Sequence, residues 1–162
     1  MMILLELLEK AIWAGLAAMG FAILFNVPRR TLFAIWALGA VGGLVKFTAL
    51  NCSIDIVLAS LLGASAIGIL SVPTAHKWYS PPLVFAIPAV IPMVPGAFAY
   101  NMMLGFMDLA TTNDSKMYAS ILMDTVRNGS KALFILMSLA TGVAVPMLVT
   151  RKESIKKIEH HK

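Results

Sequence analysis

Residues 81–107 read PPLVFAIPAVIPMVPGAFAYNMMLGFM, a stretch that is long and apolar enough to cross a bilayer. It is interrupted near its middle by Pro88, Pro92, Pro95 and Gly96. A proline inside a helix removes one backbone hydrogen bond and collides with the preceding turn, which costs about 3 kcal/mol. Hydrocarbon contains no water to replace that bond, so broken backbone persists there only against protein or beside a wet cavity. The stretch therefore predicts a discontinuous membrane helix, which is typical of a transport pathway.

The composition identifies a membrane protein. Of the 162 residues, 59% are hydrophobic and 13% are charged, whereas charged residues make up about 25% of a soluble domain. The formal net charge is +5, but the basic residues lie in short loops and at the C-terminus, a distribution that indicates membrane topology and no nucleic-acid partner. Cys52 is the only cysteine, so we predict neither an internal disulfide nor a cysteine metal cluster.

Hydropathy predicts an all-α polytopic fold with five transmembrane helices in a single membrane domain, residues 1–162. The spans run approximately over residues 4–25, 31–50, 54–72, 82–107 and 132–150, and a basic tail, 151–162, follows them. When the N-terminus is placed outside, most loop and tail cations face the cytoplasm and most acidic residues face outward. This satisfies the positive-inside rule and predicts a cytoplasmic C-terminus.

Residues 115–128 form an amphipathic segment before the fifth span, with apolar and polar residues on opposite faces. One alternative is an interfacial helix on the outer surface of the membrane. The other is an extension of the fifth span outward until Asn128-Gly129 bends it. The sequence leaves both alternatives open.

Small residues recur four positions apart in the second and third spans, a spacing that lets membrane helices approach closely. The repeats are Gly39 with Gly43, Ala59 with Gly63, and Ser60 with Ala64 and Gly68. Five short helices offer little room to enclose a solute. We therefore expect further helices from a partner or from copies of the same chain.

The break in the fourth span is the first candidate site. Leu83–Val94 and Gly96–Met107 would each form about 18 Å of helix, so neither half crosses a core about 30 Å thick and the break falls near the midplane. A half-helix that begins after Pro95 directs backbone N–H groups and a positive dipole end at the gap, an arrangement with which transporters hold carboxylates. Tyr100 and Asn101, one turn further on, offer side-chain hydrogen bonds. The alternative is a proline-kinked helix whose freed carbonyls are satisfied by neighbouring helices.

Lys46 is the only charged residue well inside a predicted span, where a charge costs roughly 2.5–3.5 kcal/mol on insertion scales. It binds an anion, pairs with an acid of another chain, or extends its stem to the outer end of the helix about 6 Å away. The sequence does not choose among these.

The sequence contains no GxSxG, HExxH, P-loop or dinucleotide-binding motif, so we predict no enzymatic activity and no cofactor. His76 lies in an inner loop, and His160 and His161 lie in the tail. We assign none of them a catalytic or metal-binding role.

Two segments carry a family resemblance: GFAILFNVPRR at residues 20–30 and AVIPMVPGAFAY at residues 89–100. They resemble the threonine/serine exporter family, and the size and span count are similar to the small membrane subunit of its split, two-component exporters. The resemblance covers most of the chain, from the first span to the tail. In the family the Pro-x-x-Pro-Gly segment, here Pro92, Pro95 and Gly96, belongs to a membrane helix. Lys46 falls where relatives can carry a basic residue.

The resemblance implies efflux of small carboxylate metabolites from bacteria across the inner membrane, beside a larger membrane subunit. The substrates would be threonine and serine, or dicarboxylates such as succinate. We therefore predict a subunit of a secondary exporter, with a substrate path lined by Pro92, Pro95, Gly96, Tyr100, Asn101 and Lys46. The alternatives are a non-transporting assembly or scaffold subunit and a homo-oligomeric channel.

Overall fold

The structure, a computed structural model, describes the backbone of residues 2–112 and 114–159 and the side chains of residues 5–112, 114 and 117–150. Within these ranges the chain is helical and contains no strand. The α-helices are α1 (Met2–Leu24), α2 (Leu32–Asn51), α3 (Ile56–Trp78), α4 (Pro82–Val90), α5 (Gly96–Thr111) and α6 (Ser115–Glu159). Two 3-10 turns, Arg29–Thr31 and Ile91–Met93, precede α2 and follow α4. The predicted all-α fold is confirmed.

Four segments of the described chain are long and apolar enough to cross a membrane: Leu5–Leu24, Arg29–Asn51, Ile56–Trp78 and Met117–Thr150. Pro82–Met93 and Gly96–Thr111 together satisfy the same criteria if they are counted as one broken span. The polytopic prediction is confirmed, and the count reaches the predicted five when the broken pair is one span.

The interruption in the fourth span is shorter than the sequence predicts. Pro88 lies inside α4, fully buried, and the helix continues past it to Val90. Pro82 begins the helix at a position where its missing N–H is not required. Only the 3-10 turn and the two residues before α5 break the regular helix, so Pro88 is not part of the break.

Helix α6 runs through Asn128-Gly129 without interruption. Its 45 residues correspond to about 68 Å, roughly twice the thickness of a bilayer core. The segment 115–128 is therefore continuous with the fifth span, which favours the second alternative, and Asn128-Gly129 does not interrupt the helix. The backbone of α6 continues to Glu159; the tail side chains and residues 160–162 lie outside the described part of the chain.

The chain divides into two compact units. The first contains the described residues up to Met93 and from Ser138 onward, and the second is Val94–Met137. In the first unit α2 packs against α1, α3 and α4. The second unit contains α5 and the first part of α6. The assignment of the whole chain to one membrane domain stays a prediction.

Small residues at the helix contacts of the first unit allow close approach, as predicted. A Cβ atom added to Gly43 would lie 2.8 Å from the Cβ atom of Ala14 in α1. One added to Gly68 would lie 2.9 Å from the carbonyl oxygen of Gly142 in α6. These distances are shorter than ordinary van der Waals contacts, so only glycine fits at these positions.

Candidate functional site

The break consists of the 3-10 turn Ile91–Met93 followed by Val94 and Pro95. The N–H of Gly96 donates to the carbonyl oxygen of Val94 at 2.9 Å, which closes a tight turn before α5. Pro95 occupies the N-cap position and provides no side-chain hydrogen bond to the helix start. The proline ring has no acceptor, so this end of α5 lacks the cap that Ser, Thr, Asp or Asn usually supplies.

Lys46, in α2, contacts the 3-10 turn with which the break begins. Its ammonium nitrogen donates to the carbonyl oxygen of Met93 at 3.2 Å, in a partly buried position. The carbonyls at a helix C-terminus lack partners within the helix and carry the negative end of its dipole, so a cation is favoured there. The contact turns Lys46 toward the break and disfavours the alternative in which its stem extends to the outer end of α2.

No carboxylate within the described side chains forms an ion pair with Lys46. An ammonium group has three donors, and the Met93 carbonyl uses one of them. A carbonyl oxygen is neutral and cannot balance a full positive charge in a medium of low dielectric constant. The Met93 carbonyl therefore occupies only one of the three donors of Lys46.

The Met93 side chain is held in a recess formed by two glycines. Met93 is 4% exposed. A Cβ atom added to Gly42 would lie 2.8 Å from the Met93 Cε atom, and one added to Gly63 would lie 3.2 Å from it. The same added atom at Gly63 would lie 3.2 Å from the Cβ atom of Lys46. The glycines thus bring α2, α3 and the end of the 3-10 turn together around the lysine.

The sequence predicts Ser60 only as a packing residue, but the structure leaves its buried hydroxyl without a hydrogen bond to any described residue. The side chain is 0% exposed, and its oxygen has no hydrogen-bond partner among the described residues. Ser71, equally buried on the same helix, donates to the Gly68 carbonyl at 2.8 Å. Most buried hydroxyls are paired in this way, so an unpaired one requires an explanation. The small-residue spacing gave no indication of this difference.

The predicted site residues that follow the break in sequence, from Gly96 to Asn101, are exposed. Gly96 is exposed, and a Cβ atom added to it would meet nothing within 4 Å. Tyr100 is 64% exposed, and Asn101 is also exposed. Lys46 and Pro92 belong to the first unit, whereas Pro95, Gly96, Tyr100 and Asn101 belong to the second. The structure joins Lys46 to the break through Met93, and the substrate roles of all six residues stay predictions.

The described side chains offer no cluster of three or more His, Cys, Asp or Glu residues that could hold a metal ion. A cavity of about 510 Å³ in the first unit lies between the end of α3, the start of α4 and α6. Its lining is mostly apolar, with His76 among the few polar groups. The prediction that His76 lies in an inner loop is wrong, because α3 continues to Trp78. The His76 Nδ1 atom lies 2.9 Å from the carbonyl oxygen of Val72 on the same helix.

A family model described as "Threonine/Serine exporter, ThrE" matches residues 10–149, a range that contains Lys46 and the whole break. The chain belongs to this family. The threonine/serine exporter family is one of membrane transporters, which agrees with the apolar helices.

The chain is also 32% identical over 146 residues to an uncharacterized protein of Haemophilus influenzae. The match covers 90% of this chain and 48% of that relative, so the chain spans about half the length of the curated relative. No solved structure matches the chain significantly.

Proposed function

We propose that this chain is a membrane subunit of a secondary exporter of small carboxylate metabolites, acting beside a larger membrane subunit. The substrates are threonine and serine, or dicarboxylates such as succinate. The complex lies in the bacterial inner membrane, with the N-terminus of this chain outside and its C-terminus in the cytoplasm. The observation that carries the proposal is the contact between the Lys46 ammonium and the Met93 carbonyl at a helix break, in a chain of an exporter family.

The chemistry of the break suits a carboxylate. Lys46 supplies a positive charge that has no acidic partner among the described side chains. The start of α5 supplies backbone N–H groups and the positive end of a helix dipole. Tyr100 and Asn101 supply a hydroxyl and an amide that can orient the rest of the substrate. Lys46 would hold the substrate carboxylate during passage, and release of the substrate would restore the lysine–carbonyl contact.

One observation supports a larger partner subunit: α5 buries none of its residues. A polar residue such as Asn101 is costly when it faces lipid, so we expect other helices or a wet passage to cover that face. The sequence has no nucleotide-binding motif, and transport would follow a gradient.

The test measures export of labelled succinate, threonine and serine from cells that produce this chain and its larger partner. The variants are Lys46→Met, Pro95→Ala and Gly96→Leu, at matched membrane levels. We expect Lys46→Met to reduce export about tenfold or more, because a charge-assisted hydrogen bond contributes roughly 1.5–3 kcal/mol. Lys10→Met is the matched control: Lys10 is an exposed lysine whose ammonium lies 5.9 Å from the Phe47 ring centroid.

Three outcomes contradict the proposal. Wild-type export rates in all three site variants would exclude the break as the substrate path. Undiminished export by the partner without this chain, at equal abundance, would indicate a scaffold subunit. Passive, non-saturating flux through liposomes that contain this chain alone would indicate a homo-oligomeric channel.

A further inference from the structure

We propose that Ser60 and Lys46 are two ligands of one substrate site, and that the Met93 carbonyl occupies the place on Lys46 that the substrate carboxylate takes during transport. This inference rests on the proposed export of carboxylate metabolites. It adds Ser60, which is not among the predicted path residues, and it states that the substrate carboxylate replaces the Met93 carbonyl on Lys46.

The position of Ser60 follows from the packing of α3 on α2. Gly42 meets Ile67, and Gly63 meets both the Gly42 carbonyl oxygen and the Cβ atom of Lys46. The two helices are therefore antiparallel: later residues of α2 face earlier residues of α3. Ser60 shares a helix face with Gly63 and Ile67, because residues three and seven apart are aligned on a helix. It lies one turn before Gly63, and from this helix register we infer that it faces the turn of α2 that follows Lys46.

The hydroxyl of Ser60 needs a partner at this position. It is fully buried, and no described residue bonds it. A buried hydroxyl without a hydrogen bond destabilises the fold, since the group has lost its water and gained nothing. Alanine would fill the same space without that loss. We infer that the hydroxyl serves a polar ligand that enters between α2 and α3.

Lys46 provides a charged donor whose described partner is a neutral acceptor. Its ammonium is partly buried and bonded to a neutral carbonyl. A substrate carboxylate would replace a neutral acceptor with a charged one, which forms a stronger hydrogen bond in a medium of low dielectric constant. The exchange frees the Met93 carbonyl, and the 3-10 turn Ile91–Met93 would then change its conformation. Substrate binding is thereby coupled to the conformation of this 3-10 turn. The Ser60 hydroxyl would bond a second polar atom of the substrate.

The chain contains a matched control for Ser60. Ser71 lies on the same helix, is equally buried, and has its hydroxyl bonded to the Gly68 carbonyl. Ser71→Ala removes an existing hydrogen bond, whereas Ser60→Ala removes an unpaired hydroxyl. We expect Ser60→Ala to leave the melting temperature in detergent unchanged or raised, and Ser71→Ala to lower it.

The experiment measures the KM for export of labelled succinate, threonine and serine, in cells that produce the chain with its larger partner. We expect Ser60→Ala to raise KM about three- to tenfold for at least one substrate, the effect of losing one hydrogen bond. Ser71→Ala should keep the wild-type KM. In the double variant Ser60→Ala/Lys46→Met, the fold increase in KM should be smaller than the product of the two single-variant increases. Neighbouring ligands of one site do not act independently.

A wild-type KM in Ser60→Ala overturns the inference. A changed KM together with a lower melting temperature also overturns it, because that result would indicate a structural hydroxyl. In the double variant, a KM increase equal to the product of the two single increases overturns it as well. Failure of the wild-type complex to export any of the three substrates overturns the proposed function as well. The two failures are thus distinguished by wild-type export.

Discussion

The helices that precede and follow the break, α4 and α5, are both apolar, yet only α4 contains buried residues. Helix α4 buries Phe85, Ala86, Pro88 and Ala89 in the first unit. Helix α5 buries none of its residues. Hydropathy does not distinguish α4 from α5, because it depends only on amino-acid composition and contains no information on packing. The difference shows that α4 contributes side chains to the core of the first unit, whereas α5 contributes none to the core of its own unit.

Within its own unit α5 uses one face for packing. A Cβ atom added to Gly105 would lie 3.0 Å from the Cβ atom of Thr125, and one added to Gly129 would lie 2.7 Å from the sulfur of Met102. The remaining surface of α5 carries exposed apolar residues together with Asn101. An amide on a membrane helix favours contact with protein or water over contact with lipid. This surface is where the proposed second subunit would pack.

The largest effect is expected from a matched pair of phenylalanines. Phe85 in α4 is 0% exposed, whereas Phe106 in α5 is 54% exposed. Phe85→Ala should lower the free energy of unfolding by about 3–5 kcal/mol, because it leaves a cavity in the helix bundle. Phe106→Ala should have a much smaller effect in the isolated chain. Thermal unfolding in mild detergent measures both, and equal losses would refute the contrast between α4 and α5.

A pair of glycines sharpens the comparison at the break. A Cβ atom at Gly63 would lie 2.9 Å from the backbone oxygen of Gly42, which cannot move aside as a side chain can. Gly63→Ala should therefore separate α2 from α3 and destabilise the chain by about 1–3 kcal/mol. Gly96→Ala has open space and should leave the melting temperature unchanged or slightly raised. A similar loss of stability in both variants would contradict the packing around Lys46.

The third prediction concerns orientation and should not change stability. Cys52 is exposed in the turn after α2, on the side predicted to face outward. A membrane-impermeant maleimide should label it in intact spheroplasts. The control places a cysteine at Tyr79, which is 95% exposed in the predicted inner loop, in a Cys52→Ser background. That thiol should react only in inverted vesicles. The reverse pattern would invert the proposed topology, and with it the side from which α4 enters the membrane.

The break could be located from sequence because proline has a local effect that any helix must accommodate. Its extent could not, since Pro88 is tolerated where neighbouring helices bury it. Likewise, the charge of Lys46 inside a span was evident from sequence, but its partner lies 47 residues away along the chain. Ser60 illustrates the same limit: its spacing predicts packing, and only the surrounding helices reveal a hydroxyl without a partner.

The sequence by itself determined the membrane class, the helical fold, the approximate spans and the family resemblance. These depend on hydrophobicity and backbone chemistry, which are local properties of residues. The tertiary structure decided that Lys46 turns to the Met93 carbonyl, that Gly42 and Gly63 contact the Met93 side chain, and that α4 contains buried residues while α5 contains none. Those outcomes depend on which helix faces meet, and helices of nearly uniform apolarity carry no periodic pattern that specifies their contacts.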